Sequence, residues 1–170
     1  GFKVAEGEIV GFVDADGSVP PESIYKMIEH LNGGWDGVIA SRWINGSNVI
    51  VHEPISRKIA SLAFNILTKI LFGMKFKDTQ CGAKFFKKDA LRAILNELYV
   101  SDFSFGVELL YRLLRKNFHI KEVPITWKYR EGTKINIVRT SIQMFASVTS
   151  LRLKTSRIHN KLDKKLTKVI

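Results

Sequence analysis

The apolar run Ile9-Val10-Gly11-Phe12-Val13 stops at Asp14-Ala15-Asp16-Gly17-Ser18, and this junction constrains the chain more than any other segment. A short apolar run closed by turn residues reads as a buried strand. Pro20 and Pro21 then stand where a helix can begin, with Ser18 as one candidate cap. Ile24, Met27, Ile28 and Leu31 follow at helical spacing, and Asn32-Gly33-Gly34 ends that helix. Asp36 to Ala40 reads as a second strand running into Ser41-Arg42. Strand, helix and strand in succession argue an α/β sheet.

Two carboxylates at i and i+2 beyond a buried strand lie where open α/β sheets bind ligands. Such a pair suits a hard divalent cation that also holds substrate phosphates. A solvated Asp-Gly turn is the competing reading. An EF-hand loop starting at Asp14 fails, because Val19 and Tyr25 stand where Gly and Glu are required.

Residues 43–54 read as a loop, with Asn45-Gly46-Ser47-Asn48 and Pro54. Ser56 to Phe72 reads as a long helix with little polar face, and its charges, Arg57, Lys58 and Lys69, are all positive. A loop from Asp78 leads into a short strand ending near Phe86. Asp89 is placed to cap a helix carrying Leu91, Ile94, Leu95 and Leu98. Phe103 to Lys116 reads as a further helix, His119 to Tyr129 as one alternating strand, and about 135–153 as a last helix. There is no internal repeat or low-complexity linker. One domain is expected over 1–157, with a basic, frayed tail over 158–170.

The net charge of +11 calls for an anionic partner: nucleic acid, anionic lipid or a phosphorylated substrate. The aromatic residues fall mostly in predicted strands and apolar helices, and no RNA-binding signature is present, so no nucleic acid is expected. The chain also carries no P-loop and no G-x-G-x-x-G. One cysteine, Cys81, excludes an internal disulfide and a Cys-based zinc site. A reducing, cytosol-facing setting fits that count. No run of 18 apolar residues is present. The 56–72 helix, and the segment 137–153 with the lysines after it, read as interfacial helices lying on an anionic membrane surface. Packing on the sheet as ordinary core is the alternative.

Six blocks then occur in one order: VDADGS with Pro20-Pro21; Ser41-Arg42; Asp78-Thr79-Gln80-Cys81-Gly82-Ala83-Lys84-Phe85-Phe86; Phe105-Gly106-Val107-Glu108-Leu109-Leu110-Tyr111; Glu122-Val123-Pro124; and Arg130-Glu131-Gly132-Thr133-Lys134. Together they resemble the dolichyl-phosphate glucosyltransferase and mannosyltransferase branch of the family 2 glycosyltransferases, and the DTQCG and VELLY blocks look closest to the glucosyltransferase side. The resemblance covers residues 1–157.

It implies the C-terminal part of a GT-A fold, a mixed sheet with flanking and interfacial amphipathic helices. It implies inverting, metal-dependent transfer of a hexose, by resemblance glucose, from a nucleoside-diphosphate sugar to dolichyl or polyprenyl phosphate at the cytoplasmic face of a membrane. Asp14 and Asp16 match the family's D-x-D, which holds Mg²⁺ or Mn²⁺ and the diphosphate, and Asp16 and Arg130 are the expected catalytic residues. Ser18, Arg42, Arg57, Gln80, Arg130 and Lys134 are the expected substrate-binding positions. Arginine suits phosphate because it offers planar paired donors.

Two departures stand out. A preceding nucleotide-binding half, with its Pro-x-x-Asn-Glu-like turn, is not among these residues, and the opening at Gly1 reads as mid-domain. Where the family pattern is Phe-Asp-x-Glu, this chain has Phe105-Gly106-Val107-Glu108. A phosphate acceptor is already largely ionised at neutral pH and has little need of a base. Glu108 is therefore expected to be structural or orienting. A non-catalytic basic lipid- or nucleic-acid-binding remnant, and a same-fold transferase acting on a sugar hydroxyl, are the alternatives.

Overall fold

The computed structural model describes residues 1–166 apart from 52, 103 and 131–136; at 137 and beyond 156 it describes backbone alone. Its strands are β1 (Ile9–Phe12), β2 (Gly37–Ser41), β3 (Asn48–Val51), β4 (Lys84–Lys87), β5 (Ile120–Pro124) and β6 (Thr126–Lys128). Its helices are α1 (Pro21–Asn32), α2 (Ile55–Phe72), α3 (Lys88–Arg92), α4 (Phe105–Arg115) and α5 (Ile137–Leu166). The main sheet is mixed, in the order β1, β4, β2, β5. β4 runs antiparallel to β1 and β2, while β2 and β5 are parallel. Hence β1, β2 and β5 share one direction, and their carboxyl ends emerge along one edge. The mixed α/β sheet expected from the sequence is present.

β2 explains how the layers close. Val38 and Ala40 pack on one side with Met27 and Leu31 of α1 and Val123 of β5. Ile39 faces the other side, with Phe86 of β4 and Leu109, Leu110 and Leu113 of α4. A strand covered on both faces needs no polar alternation, which is why its sequence is a continuous apolar run.

Several boundaries differ from expectation. The 43–54 loop contains β3, which pairs in parallel with β6 as a separate two-stranded sheet, with a bulge between Val49 and Val51. β3 is half-exposed, so its sequence carries no strong apolar signal. The single strand expected over 119–129 is two strands, because the chain leaves the main sheet at Pro124 and re-pairs at Thr126. Buried Ile125 marks the crossing, and its carbonyl accepts from Asn48 N at 2.9 Å. Ser18 does not cap α1, whose N-cap is Pro20; its own N–H donates to Asp16 Oδ1 at 2.9 Å. Asp89 lies inside the first turn of α3 rather than capping it. α4 begins at Phe105, and α5 continues past the expected helix end at about 153 to Leu166.

α2 is turned inside out. Its buried positions are Ser61, Phe64, Asn65 and Thr68. Its isoleucines face outward, with Ile59 61% and Ile70 76% exposed. Most of the buried polar groups have partners, Asn65 Nδ2 excepted. Asn65 Oδ1 accepts from Thr79 N at 2.9 Å and from Thr79 Oγ1 at 2.7 Å, and Thr68 Oγ1 donates to Asn65 O at 2.9 Å. α5 packs beside α2 and adds exposed Val138, Ile142 and Phe145. The apolar stripe that the sequence offered either to core or to membrane is, on α2, mostly not core.

Asn65→Ala is expected to cost about 2 kcal/mol in chemical denaturation, because it leaves the buried Thr79 N–H unpaired. The neighbouring Ile66→Ala, on the exposed side, is expected to change stability by less than about 0.5 kcal/mol.

Candidate active site

The edge where β1, β2 and β5 end carries the cleft. The loop after β1 supplies Asp14, Asp16 and Ser18, the residue after β2 is Arg42, and the segment after β6 supplies Arg130. β4 runs the other way, so the loop before it, with Gln80, reaches the same edge. These six residues, together with Arg57 of α2, line one cavity of about 270 Å³. Seven of the eight expected site residues therefore converge; the eighth, Lys134, lies outside the described residues. The loop after β1 is pinned from both sides, by Asp14 N donating to Gly82 O at 3.1 Å and by Lys128 N donating to Ser18 O at 3.0 Å.

The 77–81 loop is held by side-chain acceptors through every backbone N–H. Glu122 accepts from Lys77 N at 3.0 Å and Asp78 N at 2.7 Å. Asn65 accepts from Thr79 N at 2.9 Å, and Asp78 Oδ1 accepts from Gln80 N at 3.2 Å and Cys81 N at 3.1 Å. The DTQCG block is thus a scaffold that aims Gln80 and supports Asp14. Gly82 is required for contact: a Cβ there would fall 1.8 Å from Asp14 Oδ2. Cys81 is buried, and burial first, then the Asp78 charge, pushes its thiol up to about 12. It packs as a small apolar residue and is no nucleophile.

The arginines divide into two kinds. Arg42 Nε and Nη2 grip Asp78 Oδ2 and Oδ1 at 2.7 and 3.1 Å, and Nη2 also reaches Ser61 Oγ at 3.2 Å. Its guanidinium lies 5.2 Å from the ring centroids of both Trp43 and Trp127. Burial works against the Asp78 charge, but the Arg42 charge and hydrogen bonds outweigh it and hold the carboxyl below the usual range. Arg42 is therefore engaged before any substrate arrives. Arg57 leans on Tyr129, 5.6 Å from its ring centroid, and neither Arg57 nor Arg130 has an ion pair among the described residues. Their charge is available to a ligand.

Asp14 and Asp16 are the carboxylates on the loop after β1. The Asp14 carboxyl is raised, first by partial loss of water around it and then by the Asp16 charge, against the opposing pull of Lys84 and Arg42. Two carboxylates that repel one another in a phosphate-sized cleft fit a divalent cation. Among the described residues no third Asp, Glu, His or Cys joins them.

Glu108 is fully buried and takes Tyr99 N, Val100 N and Arg112 Nε at 3.1, 2.8 and 2.8 Å. It fixes a loop, as expected, and does not reach the cleft. A Cβ on Gly106 would stand 3.6 Å from Nζ of buried Lys84, which here donates to Cys81 O. An aspartate at this position, as in the Phe-Asp-x-Glu pattern expected from the sequence, would face that amine. Sequence reasoning missed Glu53, Ser61, Trp127 and Tyr129 in the cleft. Ser61 was findable, being one helical turn from Arg57; Glu53 follows an unpatterned loop and gave no signal.

Asp78→Asn is expected to lower stability by about 3 kcal/mol at pH 7, because it strips the buried Arg42 charge of its hydrogen-bonded carboxylate and leaves only Glu53, 3.6 Å from Nη1, as counter-charge. The folded carboxyl titrates below its ordinary 3.8, so its contribution is fully present above that pH and is lost as pH falls through the folded value. Urea unfolding across this acid range should show that loss in the parent chain and not in the variant.

The chain is similar to several known proteins. The chain is 36% identical over 120 residues to undecaprenyl-phosphate mannosyltransferase of Micrococcus luteus, covering 70% of this chain and 49% of that protein. It is 30% identical over 161 residues to dolichyl-phosphate beta-glucosyltransferase of Dictyostelium discoideum, covering 91% and 49%. The human dolichyl-phosphate beta-glucosyltransferase is 28% identical over 160 residues, covering 91% and 49%. The chain spans about half the length of these curated relatives. The model of glycosyl transferase family 2 matches residues 1–95, more than half of the 170, and the chain belongs to that family.

Proposed function

We propose that this chain carries the acceptor side of a transferase that moves a hexosyl group from a nucleoside-diphosphate sugar to a polyprenyl phosphate at an anionic membrane surface. One observation carries the reading. The polar cleft holding the carboxylates and Arg57 and Arg130, neither of which has an ion pair among the described residues, opens into an apolar groove of about 470 Å³ between α2 and α5. Ala60, Gln80, Ser141 and Met144 line both spaces. A ligand with an anionic head and a long hydrocarbon tail matches that sequence of surfaces. The printed names of the relatives, a dolichyl-phosphate glucosyltransferase and an undecaprenyl-phosphate mannosyltransferase, support the same acceptor class.

Arg57 and Arg130 bind the acceptor phosphate and aim its oxygen into the cleft, and Arg57 is kept in place by Tyr129. Gln80, set by the locked 77–81 loop, borders both the head and the tail. The phosphate oxygen attacks the anomeric carbon as the bond to the nucleoside diphosphate breaks, which inverts that carbon. Asp14 and Asp16 would hold Mg²⁺ or Mn²⁺, which supplies charge neutralisation for the departing diphosphate. The acceptor phosphate is its own nucleophile, so no side chain need remove a proton. Arg42 acts as a positioning residue for the cleft wall.

No helix among the described residues is long and apolar enough to cross a membrane. The outward isoleucines of α2 and the exposed apolar residues of α5 are instead placed to lie in the lipid interface. The positive charge of the chain suits an anionic leaflet, and a cytoplasmic-face location follows if that leaflet is the acceptor's.

Two measurements test this. In vesicle flotation, the chain is expected to prefer vesicles with polyprenyl phosphate over vesicles with the free polyprenol, and Arg57→Ala with Arg130→Ala should erase the preference. Ile59→Glu should weaken binding to both by about tenfold, the loss of one buried isoleucine. In the longer protein, hexose transfer from UDP-glucose or GDP-mannose should fall at least about a hundredfold in Asp14→Ala and Asp16→Ala; turnover retained in both removes the metal role.

A further inference from the structure

The chain contains two Asn-Gly pairs, Asn32-Gly33 and Asn45-Gly46. Both asparagines are exposed, yet their surroundings differ. Asn32 is the last residue of α1, and the Gly33 N–H is tied to that helix, donating to Glu29 O at 3.3 Å and His30 O at 3.1 Å. Asn45 and Gly46 are the middle residues of the turn between β2 and β3, which is closed by Ser47 N donating to Ile44 O at 3.2 Å. Neither the Gly46 N–H nor the Asn45 side-chain amide has a partner among the described residues. The turn requires its glycine. The φ of Gly46 is +92°, and a Cβ there would stand 3.4 Å from Pro124. A left-handed residue at the third position of a turn is glycine's role. The fold therefore obliges Asn45 to precede the residue type that shields its own amide nitrogen least.

An asparagine side chain beside an unhindered, unbonded amide nitrogen is open to attack from its own backbone. The Gly46 nitrogen gives its proton to hydroxide and bonds to Asn45 Cγ. The Cγ–Nδ2 bond breaks, and the departing nitrogen takes a proton from water and leaves as ammonia. The product is a five-membered succinimide. Water then opens that ring at either carbonyl, leaving aspartate or isoaspartate, whose main chain runs through the former side-chain methylene. At Gly33 the same attack must first break the helix-end hydrogen bonds. We propose that Asn45-Gly46 is a site of spontaneous isoaspartate formation in the folded chain, and that conversion there loosens the β3–β6 sheet. The turn has little slack to absorb an added backbone atom. Ser47 Oγ donates to Ser41 O at 2.8 Å, and Asn48 N donates to Ile125 O at 2.9 Å, so the chain is held just beyond the turn. β3 is the strand that pairs with β6, and the segment after β6 carries Tyr129 and Arg130 into the cleft. The inference concerns the turn alone and does not depend on the transferase reading.

The test incubates the 170-residue chain, folded and in urea, at neutral and at mildly alkaline pH. Isoaspartate is then labelled with an isoaspartyl methyltransferase and located by peptide mass spectrometry. In the folded chain the label is expected at Asn45, rising in proportion to hydroxide. Asn32 should carry about tenfold less, the cost of freeing a hydrogen-bonded amide. In urea the two positions should label alike, because the difference between them lies in the fold. Asn45→Gln would have to close a six-membered ring and should lose the label; circular dichroism checks that this exposed substitution leaves the fold intact. In the converted chain the Asn48 amide should exchange with deuterium at least about tenfold faster. The Gln variant, incubated in the same way, should show no such change. A folded chain that stays unlabelled at Asn45, or that labels equally at Asn32 and Asn45, overturns the proposed site. Conversion at Asn45 with unchanged exchange at Asn48 overturns the proposed loosening.

Discussion

The buried Asp78–Arg42 pair ties the site together. Asp78 is wholly buried, and its two oxygens serve the Arg42 guanidinium, the Arg42 backbone and two N–H groups of its own loop. Through Arg42 the same carboxylate reaches Ser61 on α2 and the indoles of Trp43 and Trp127. The end of β2, the loop before β4, α2 and β6 are thus held to one centre. A buried ion pair is a poor source of net stability, since desolvating both partners offsets most of their attraction. What it supplies is one fixed arrangement, because any displacement strands a charge in the interior. A cleft that must hold two carboxylates and several cations at fixed spacing has use for that kind of rigidity.

The same requirement accounts for α2. Its inward face is polar because Ser61 and Asn65 are needed to hold Arg42 and Thr79. The apolar residues, displaced from the interior, are left on the outside. A water-facing helix with this distribution would be a liability. On the proposed reading it is the contact with lipid, and the polar inward face and the apolar outward face are two consequences of one placement at the boundary between cleft and bilayer. The groove between α2 and α5 continues that boundary to the arginines.

The main sheet was legible because it rests on strong local signals: apolar runs, the Pro-Pro start and the Gly-Gly stop. Most of the cleft was legible through the ordered motif blocks rather than through chemistry. Nothing in the residues themselves distinguished Arg42, which is structurally engaged, from Arg57 and Arg130, which have no ion pair among the described residues. That difference depends on Asp78, 36 positions away from Arg42, and spacing does not encode a contact of that range. β3 was missed, and β6 was read as one strand with β5, because a two-stranded, half-exposed sheet is defined by its pairing and not by its composition. The outward face of α2 was ambiguous for a related reason. Periodicity reports which residues share a face, not which face meets the protein.

The engagement of Glu108 bears on the chemistry. The pattern Phe-x-x-Glu offers a carboxylate as a candidate base, yet this one is enclosed and fully occupied by Tyr99, Val100 and Arg112. The position of Gly106 faces Lys84 rather than the cleft, so the aspartate expected there would also meet scaffold. Both candidate bases are thereby removed from the reacting centre by geometry. On the proposed reading a sugar hydroxyl as acceptor would then depend on Asp14 or Asp16, which are assigned to the cation, or on Glu53 at the far wall. On the proposed reading a phosphate acceptor arrives already ionised and asks only for cations to hold it, and Arg57 and Arg130 are cleft cations with no ion pair among the described residues.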